Sequence, residues 1–455
     1  MRRWGMFLVA GLMASTAWAQ TGQGDVSVTI YNGDQALVQD ARQLTLPGGR
    51  SRQEFPDVSA RIRPETVTLA GQGFSIVEQN FDYDLLSPDK LMEKAVGQTI
   101  TIVRTNPATG AETREQARVL AANGGIVLQI GQRIEVLRDD GLPVRVVFDK
   151  VPENLRARPT LSVTVDAARA GQIPARLSYL TPGLGWTSDY VALFDEGQGK
   201  IDMQGWITLT NNTGTTFANA RTLLVAGNVN RGGIRMPPSP TAGIEEAGTE
   251  SGARERLGDY YLYPIAEHTT IGNAQQKQVS FLDVKGAPAR KTYQFVNGWM
   301  ATQQVPQSAA TVIKFSTSAK GGLGDQLPAG TIRVYMRDAR GDPQFIGETR
   351  IGHTPMGSSM AITTGQAFDV KVQAIVDERT RIGDRRWRTK MHYTLTNARP
   401  EDVTVDLAQD GLWGDTRIEA QSLTGERVSA DRMEWHVPVP KNGKTDLMVT
   451  FDSRF

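Results

Sequence analysis

The chain contains no cysteine in 455 residues, which excludes disulfides, a thiolate metal site and a cysteine nucleophile and leaves stability to packing alone. Histidine is almost as scarce: the four, His268, His353, His392 and His436, lie far apart, so spacing nominates no metal ligands. A zinc site would have to be assembled entirely by tertiary contacts. Long apolar runs are missing too, and nothing approaches the ~20 apolar residues that cross a bilayer as a helix. No charge of one sign dominates, because 50 basic residues face 49 acidic ones; no global field points to nucleic acid or to an anionic membrane surface. Also absent are the Gly-x-Ser-x-Gly elbow, the Gly-x4-Gly-Lys-Ser/Thr phosphate loop, the His-Glu-x-x-His pair and the calcium loop. Spacing therefore names no catalytic residue and no cofactor.

What is present begins with MRRWGMFLVAGLMASTAWAQ. Arg2 and Arg3 precede an apolar run from Phe7 to Met13, and Ala17-Trp18-Ala19 supplies small residues around a cleavage point. This pattern predicts a secretory signal peptide cut after Ala19, a mature protein that is periplasmic or secreted, and no transmembrane segment after cleavage. The roughly 435 residues that follow suggest two to four domains. Forty-six glycines and 22 prolines, among many short Val, Ile and Thr runs, predict an all-β fold.

Residues 20–172 read as an N-terminal β module. Val26 to Tyr31 alternates, and five short strands between Thr99 and Phe148 suggest a small barrel-like sheet, with Asn123-Gly124 placed for a tight hairpin. One short helix is expected from Ser87, a capping residue, through Pro88 at the first turn to Gly97 at the end. Leu91, Met92, Ala95 and Val96 would share its inner face. Residues 173–372 have longer strands and predict a central β-sandwich, interrupted by a loop at 231–258 whose Pro/Gly/Glu composition predicts disorder. Residues 373–455 predict an immunoglobulin-like sandwich. Trp206-Ile-Thr-Leu-Thr-Asn211 and His392-Tyr-Thr-Leu-Thr-Asn397 echo one another as strand followed by an Asn turn, which suggests two sandwich modules.

Tryptophan supplies the first candidate binding residues. In sandwiches it usually anchors the core, but Trp186 follows Gly183-Leu-Gly185 and Trp413 lies within Gly411-Leu-Trp-Gly-Asp415, and such loop-like settings favour an exposed platform for sugar rings. The second candidate is the densest basic stretch, where Arg386, Arg388 and Lys390 would line one face of a strand. That face is either solvated or a contact for an anionic glycan or lipid headgroup. GETRIGHTPMGS, at 347–358, places Glu348 near His353, yet strand alternation would point them apart and leave Glu348 to pair with Arg350.

Ser178 to Tyr190, Gly205 to Asn219, Leu327 to Tyr335, and Phe345 to Pro355 with Ala367-Phe-Asp-Val370 together resemble a bacterial exported family carrying domain of unknown function 4139. The N-terminal module is similar to that of its mucoidy-inhibitor-like members, although the long coiled coil of those relatives is missing here. The resemblance implies an exported β protein with an envelope role and supplies no catalytic residue. The expected function is a non-enzymatic binding or scaffold protein whose partner is an envelope protein or glycan. The alternative is a hydrolase of envelope polysaccharide using carboxylates such as Glu348 and Asp369.

Overall fold

The computed structural model describes residues 22–82, 86–137, 143–151, 155–227, 243–250 and 254–454. Strands take 66% of the chain and helix 2%, so the fold is all-β and of sandwich type. The predicted signal peptide lies outside the described residues. Among those residues, no helix is long and apolar enough to cross a membrane.

The first core lies between two sheets. An eight-stranded sheet contains Asp25–Tyr31, Gln35–Leu46, Gly171–Thr181 and Phe217–Ala226; a three-stranded sheet contains Gly49–Pro56, Thr160–Ala167 and Phe74–Asp82. Alternation along each strand turns Val26, Val28, Ile30, Phe55, Val163 and Tyr179 inward, where they pack as one cluster. The expected boundary at 172 is corrected here. It falls inside Gly171–Thr181, which pairs along its whole length with Gln35–Leu46, while Asp25–Tyr31 pairs in parallel with Phe217–Ala226. The N-terminal strands thus need chain from beyond 200 to complete their sheet.

The segment between the paired strands Phe74–Asp82 and Thr160–Ala167 carries its own core. The helix Pro88–Lys94 begins as expected, with the Ser87 hydroxyl accepting from the Lys90 N–H at 3.2 Å and Pro88 in the first turn. Met92 and Ala95 are buried against Ile102, Val119 and Leu128, whereas Val96 is exposed. The five-stranded sheet it covers is an open path from Val144–Val147 to Arg133–Leu137, not a barrel.

Most of the remaining chain forms a fourteen-stranded sheet that serves two cores in succession. Tyr190, Phe194, Ile313, Ile332 and Met360 fill the central one; Tyr393, Trp435, Val437 and Phe451 fill the C-terminal one. The boundary expected at 372–373 is also corrected, because it cuts Ser359–Gly383, a strand of 25 residues. At about 3.3 Å per residue such a strand spans roughly 80 Å and contributes Met360 and Ile362 to one core and Val370 and Val372 to the next. Gln275–Asn297, with 23 residues, does the same.

Part of the loop expected to be disordered is ordered. Ile244–Glu246 pairs with Ser359–Gly383, Arg256–Leu257 pairs with Tyr260–Pro264, and Arg254 grips Asp325 at 3.0 Å while lying over the Tyr263 ring. Edge pairing and a guanidinium–carboxylate fork need no apolar periodicity, so composition misses them. The rest of that segment, 231–242 and 251–253, lies outside the described residues. The two echoed motifs do play the same part: Asn211 and Asn397 are both buried ends of strands.

Candidate functional site

The two tryptophans singled out part company. Trp186 belongs to the alternating strand Leu184–Asp195 and is 7% exposed, packed in the first core beside Tyr263. It forms no platform, which corrects the expectation. Its neighbour Gly185 is extended and only Gly183 is left-handed, so the glycines mark the turn before the strand, with Trp186 already inside it. Trp413 is 63% exposed. Gly411 (φ +74°) and Gly414 (φ +68°) bracket it with left-handed backbone, and no strand continues through such a sequence.

Trp413 does not stand alone. The Trp299 ring lies 5.2 Å away, centroid to centroid, at an interplanar angle of 31°. Trp299 is half-buried against the C-terminal core. A Cβ at position 411 would come within 2.6 Å of the Trp299 ring, so the glycine also makes room for the pair. Beneath the rings a buried amide network holds both loops. Gln409 Oε1 accepts from Tyr393 Oη (2.5 Å) and Asn297 Nδ2 (2.8 Å), while Gln409 Nε2 donates to the Asp410 carbonyl at 2.6 Å. Burial pushes the Tyr393 phenol well above its ordinary range, so it stays a neutral donor. At the rim Arg432 donates to Asp410 at 2.6 Å, and Thr416 fixes the Trp413 carbonyl at 2.8 Å. The result is two tilted aromatic rings on loops tied together by buried hydrogen bonds, with the Asp410–Arg432 ion pair at the start of the loop that carries Trp413.

Trp299 was not singled out from sequence. Its signal is Gly298, which beside a Trp matches the Gly-Leu-Trp-Gly of the other loop, but nothing local says that the two loops meet.

The basic stripe is exposed on the strand Arg386–Asn397, as alternation requires, with Thr389 and Met391 turned inward. Each cation has an acidic partner: Arg386 forks onto Asp452 at 2.8 Å, Arg388 onto Glu419 at 2.6 Å, and Lys390 meets Glu378 at 2.6 Å. Glu378 and Asp452 are held below the usual carboxylate range, chiefly by these hydrogen bonds. The stripe is a solvated face on which each of the three cations is engaged by a carboxylate.

Glu348 lies on Pro343–Ile351 and pairs across the sheet with Arg333 at 3.1 Å, not with Arg350. A bulge at Ile346 shifts the register between Phe345 and Gly347. The strand ends at Ile351, and His353 turns inward, its Nδ1 accepting from the Ala329 N–H at 3.2 Å and its Nε2 lying 3.1 Å from the Asn32 amide. The imidazole is thus a clasp between elements. The Asp369 carbonyl accepts from the Ala398 N–H at 2.9 Å at the start of the C-terminal sandwich. The chain has no significant match to any protein-family model or to any curated protein.

Proposed function

We propose that this chain is an exported cell-envelope protein, of the kind carrying domain of unknown function 4139, that binds a carbohydrate without transforming it. The observation that carries the reading is the Trp299/Trp413 pair, with Trp413 63% exposed and the Asp410–Arg432 ion pair at the start of its loop. Aromatic faces take the apolar faces of sugar rings, and a paired carboxylate and guanidinium suit ring hydroxyls. The export reading rests on the first nineteen residues. Glu348 is engaged by Arg333, which supports a binding role over a hydrolytic one.

The test is a glycan array of envelope oligosaccharides probed with the mature chain, followed by fluorescence titration of any hit. Trp413→Ala should weaken binding at least tenfold, which is about 1.4 kcal/mol, with unfolding unchanged. An array with no hits, or equal binding by Trp413→Ala, overturns the reading.

A further inference from the structure

We infer that the outer face of the C-terminal sandwich carries a site for a divalent cation, built from Asp406, Glu434 and His436. The strands Val403–Gln409 and Arg432–Val439 are antiparallel neighbours, and their register sets Asp406 directly opposite His436. Val405, Leu407, Trp435 and Val437 fill the core. Alternation therefore sends Asp406, Glu434 and His436 to the other face together. One ligand atom from each lies within 4.8 Å of the others, and His436 Nδ1 is 2.7 Å from Asp406 Oδ1.

The donors are held in place. Asp406 is only 6% exposed, and its Oδ2 receives Lys314 Nζ at 3.1 Å, which leaves Oδ1 to face the imidazole. Lys314 also meets Glu245 at 2.8 Å, so one ammonium serves two carboxylates. The charge does not balance. Asp406, Glu245 and Glu434 carry three negative charges against that single positive one. Glu434 has no hydrogen bond or ion pair among the described residues; its neighbour Arg432 is paired with Asp410 and acts on Glu434 only through space. Strand pairing also places Glu426 directly opposite Glu434. Like charges directly opposite one another are destabilising, and a bound divalent cation would offset that repulsion.

One imidazole nitrogen with carboxylate oxygens is a donor set for borderline ions such as Zn2+. Three ligands on an open sheet face leave the remaining coordination positions to water. The site is separate from the aromatic pair, and its proposal does not depend on sugar binding.

The test uses the full mature chain without a polyhistidine tag, stripped with chelator and titrated with Zn2+ by calorimetry and by imidazole NMR. Four histidines give four ring signals. Zn2+ should move those of His436, and His436→Asn and Glu434→Gln should each lower affinity at least tenfold while melting as the metal-free wild type does. His436 is exposed and Glu434 half-buried, and both substitutions are close to isosteric, so neither variant threatens the fold. An absence of Zn2+ binding, unchanged affinity in these variants, or a response confined to another histidine overturns the inference.

Discussion

Asn397 should be irreplaceable by aspartate, and the size of the effect follows from its contacts. The side chain is 2% exposed. Its Oδ1 accepts from the Arg399 N–H at 2.9 Å, and its Nδ2 donates to the carbonyls of Glu401 (2.9 Å), Pro440 (3.1 Å) and, more weakly, Val439 (3.4 Å). At about 1 kcal/mol net per bond, Asn397→Ala should cost roughly 2–4 kcal/mol. Asn397→Asp keeps the acceptor but turns a second oxygen towards carbonyl oxygens, so at neutral pH it should cost at least as much as alanine. Such a carboxyl would have a folded-state pKa above its unfolded value of about 3.9. Its folded form would be favoured below that unfolded value, and the stability so gained would be lost as pH rises through the folded pKa; the aspartate variant should therefore be least impaired near pH 4. Amide exchange over 386–409, read by mass spectrometry at pH 7 and pH 4, measures the opening free energy. Asn211 makes the same set, accepting from the Thr213 N–H and donating to the carbonyls of Thr215 and Ile271, so Asn211→Asp should behave alike. An aspartate variant as protected as wild type at pH 7 would refute the reasoning.

Two further outcomes follow from the same packing. Burial holds the His353 imidazole below its ordinary value; its stabilisation is fully present above the unfolded pKa of about 6.5 and falls away as pH drops below it, by at most ~1.4 kcal/mol per pH unit. Urea midpoints between pH 7.5 and 5 should show that slope, and His353→Gln should flatten it. Gly347 has φ +154°, and a Cβ there would meet the Thr364 carbonyl oxygen at 2.1 Å. Gly347→Ala should cost roughly 1–3 kcal/mol, while Gly365→Ala, with nothing within 4 Å, should leave the midpoint nearly unchanged.

What was legible in the sequence is what local chemistry decides. Ser87, Pro88 and Gly97 marked the helix because a cap, a first-turn proline and a left-handed glycine act within a few residues. Alternation marked the strands and the outward stripe of Arg386, Arg388 and Lys390. It could not reveal that Asp452, Glu419 and Glu378 neutralise them, since these partners stand on neighbouring strands. The domain boundaries failed for a related reason. Segmentation by turn signals assumes one strand per core, whereas Gln275–Asn297 and Ser359–Gly383 run through two. Glu434 and His436, two residues apart, already shared a face in the sequence; the register that adds Asp406 is set by hydrophobic packing and not by spacing.

One pairing accounts for why the aromatic pair exists. Val403–Gln409 lies parallel to the last five residues of Gln275–Asn297, from Tyr293↔Val405 to Asn297↔Gln409. Parallel strands finish at the same end of a sheet, so the loops that leave them, Gly298 to Met300 and Asp410 to Gly414, emerge side by side. Were the two strands antiparallel, Trp299 and Trp413 would leave from opposite ends. The Asn297–Gln409 hydrogen bond at 2.8 Å locks the last rung beneath the rings. Three residues back along the same strand, on its outer face, stands Asp406. The platform and the proposed cation site therefore depend on one strand, yet they are addressed separately: Gln409 supports the first through its buried amide, and Asp406 builds the second through a carboxylate that the amide network does not touch.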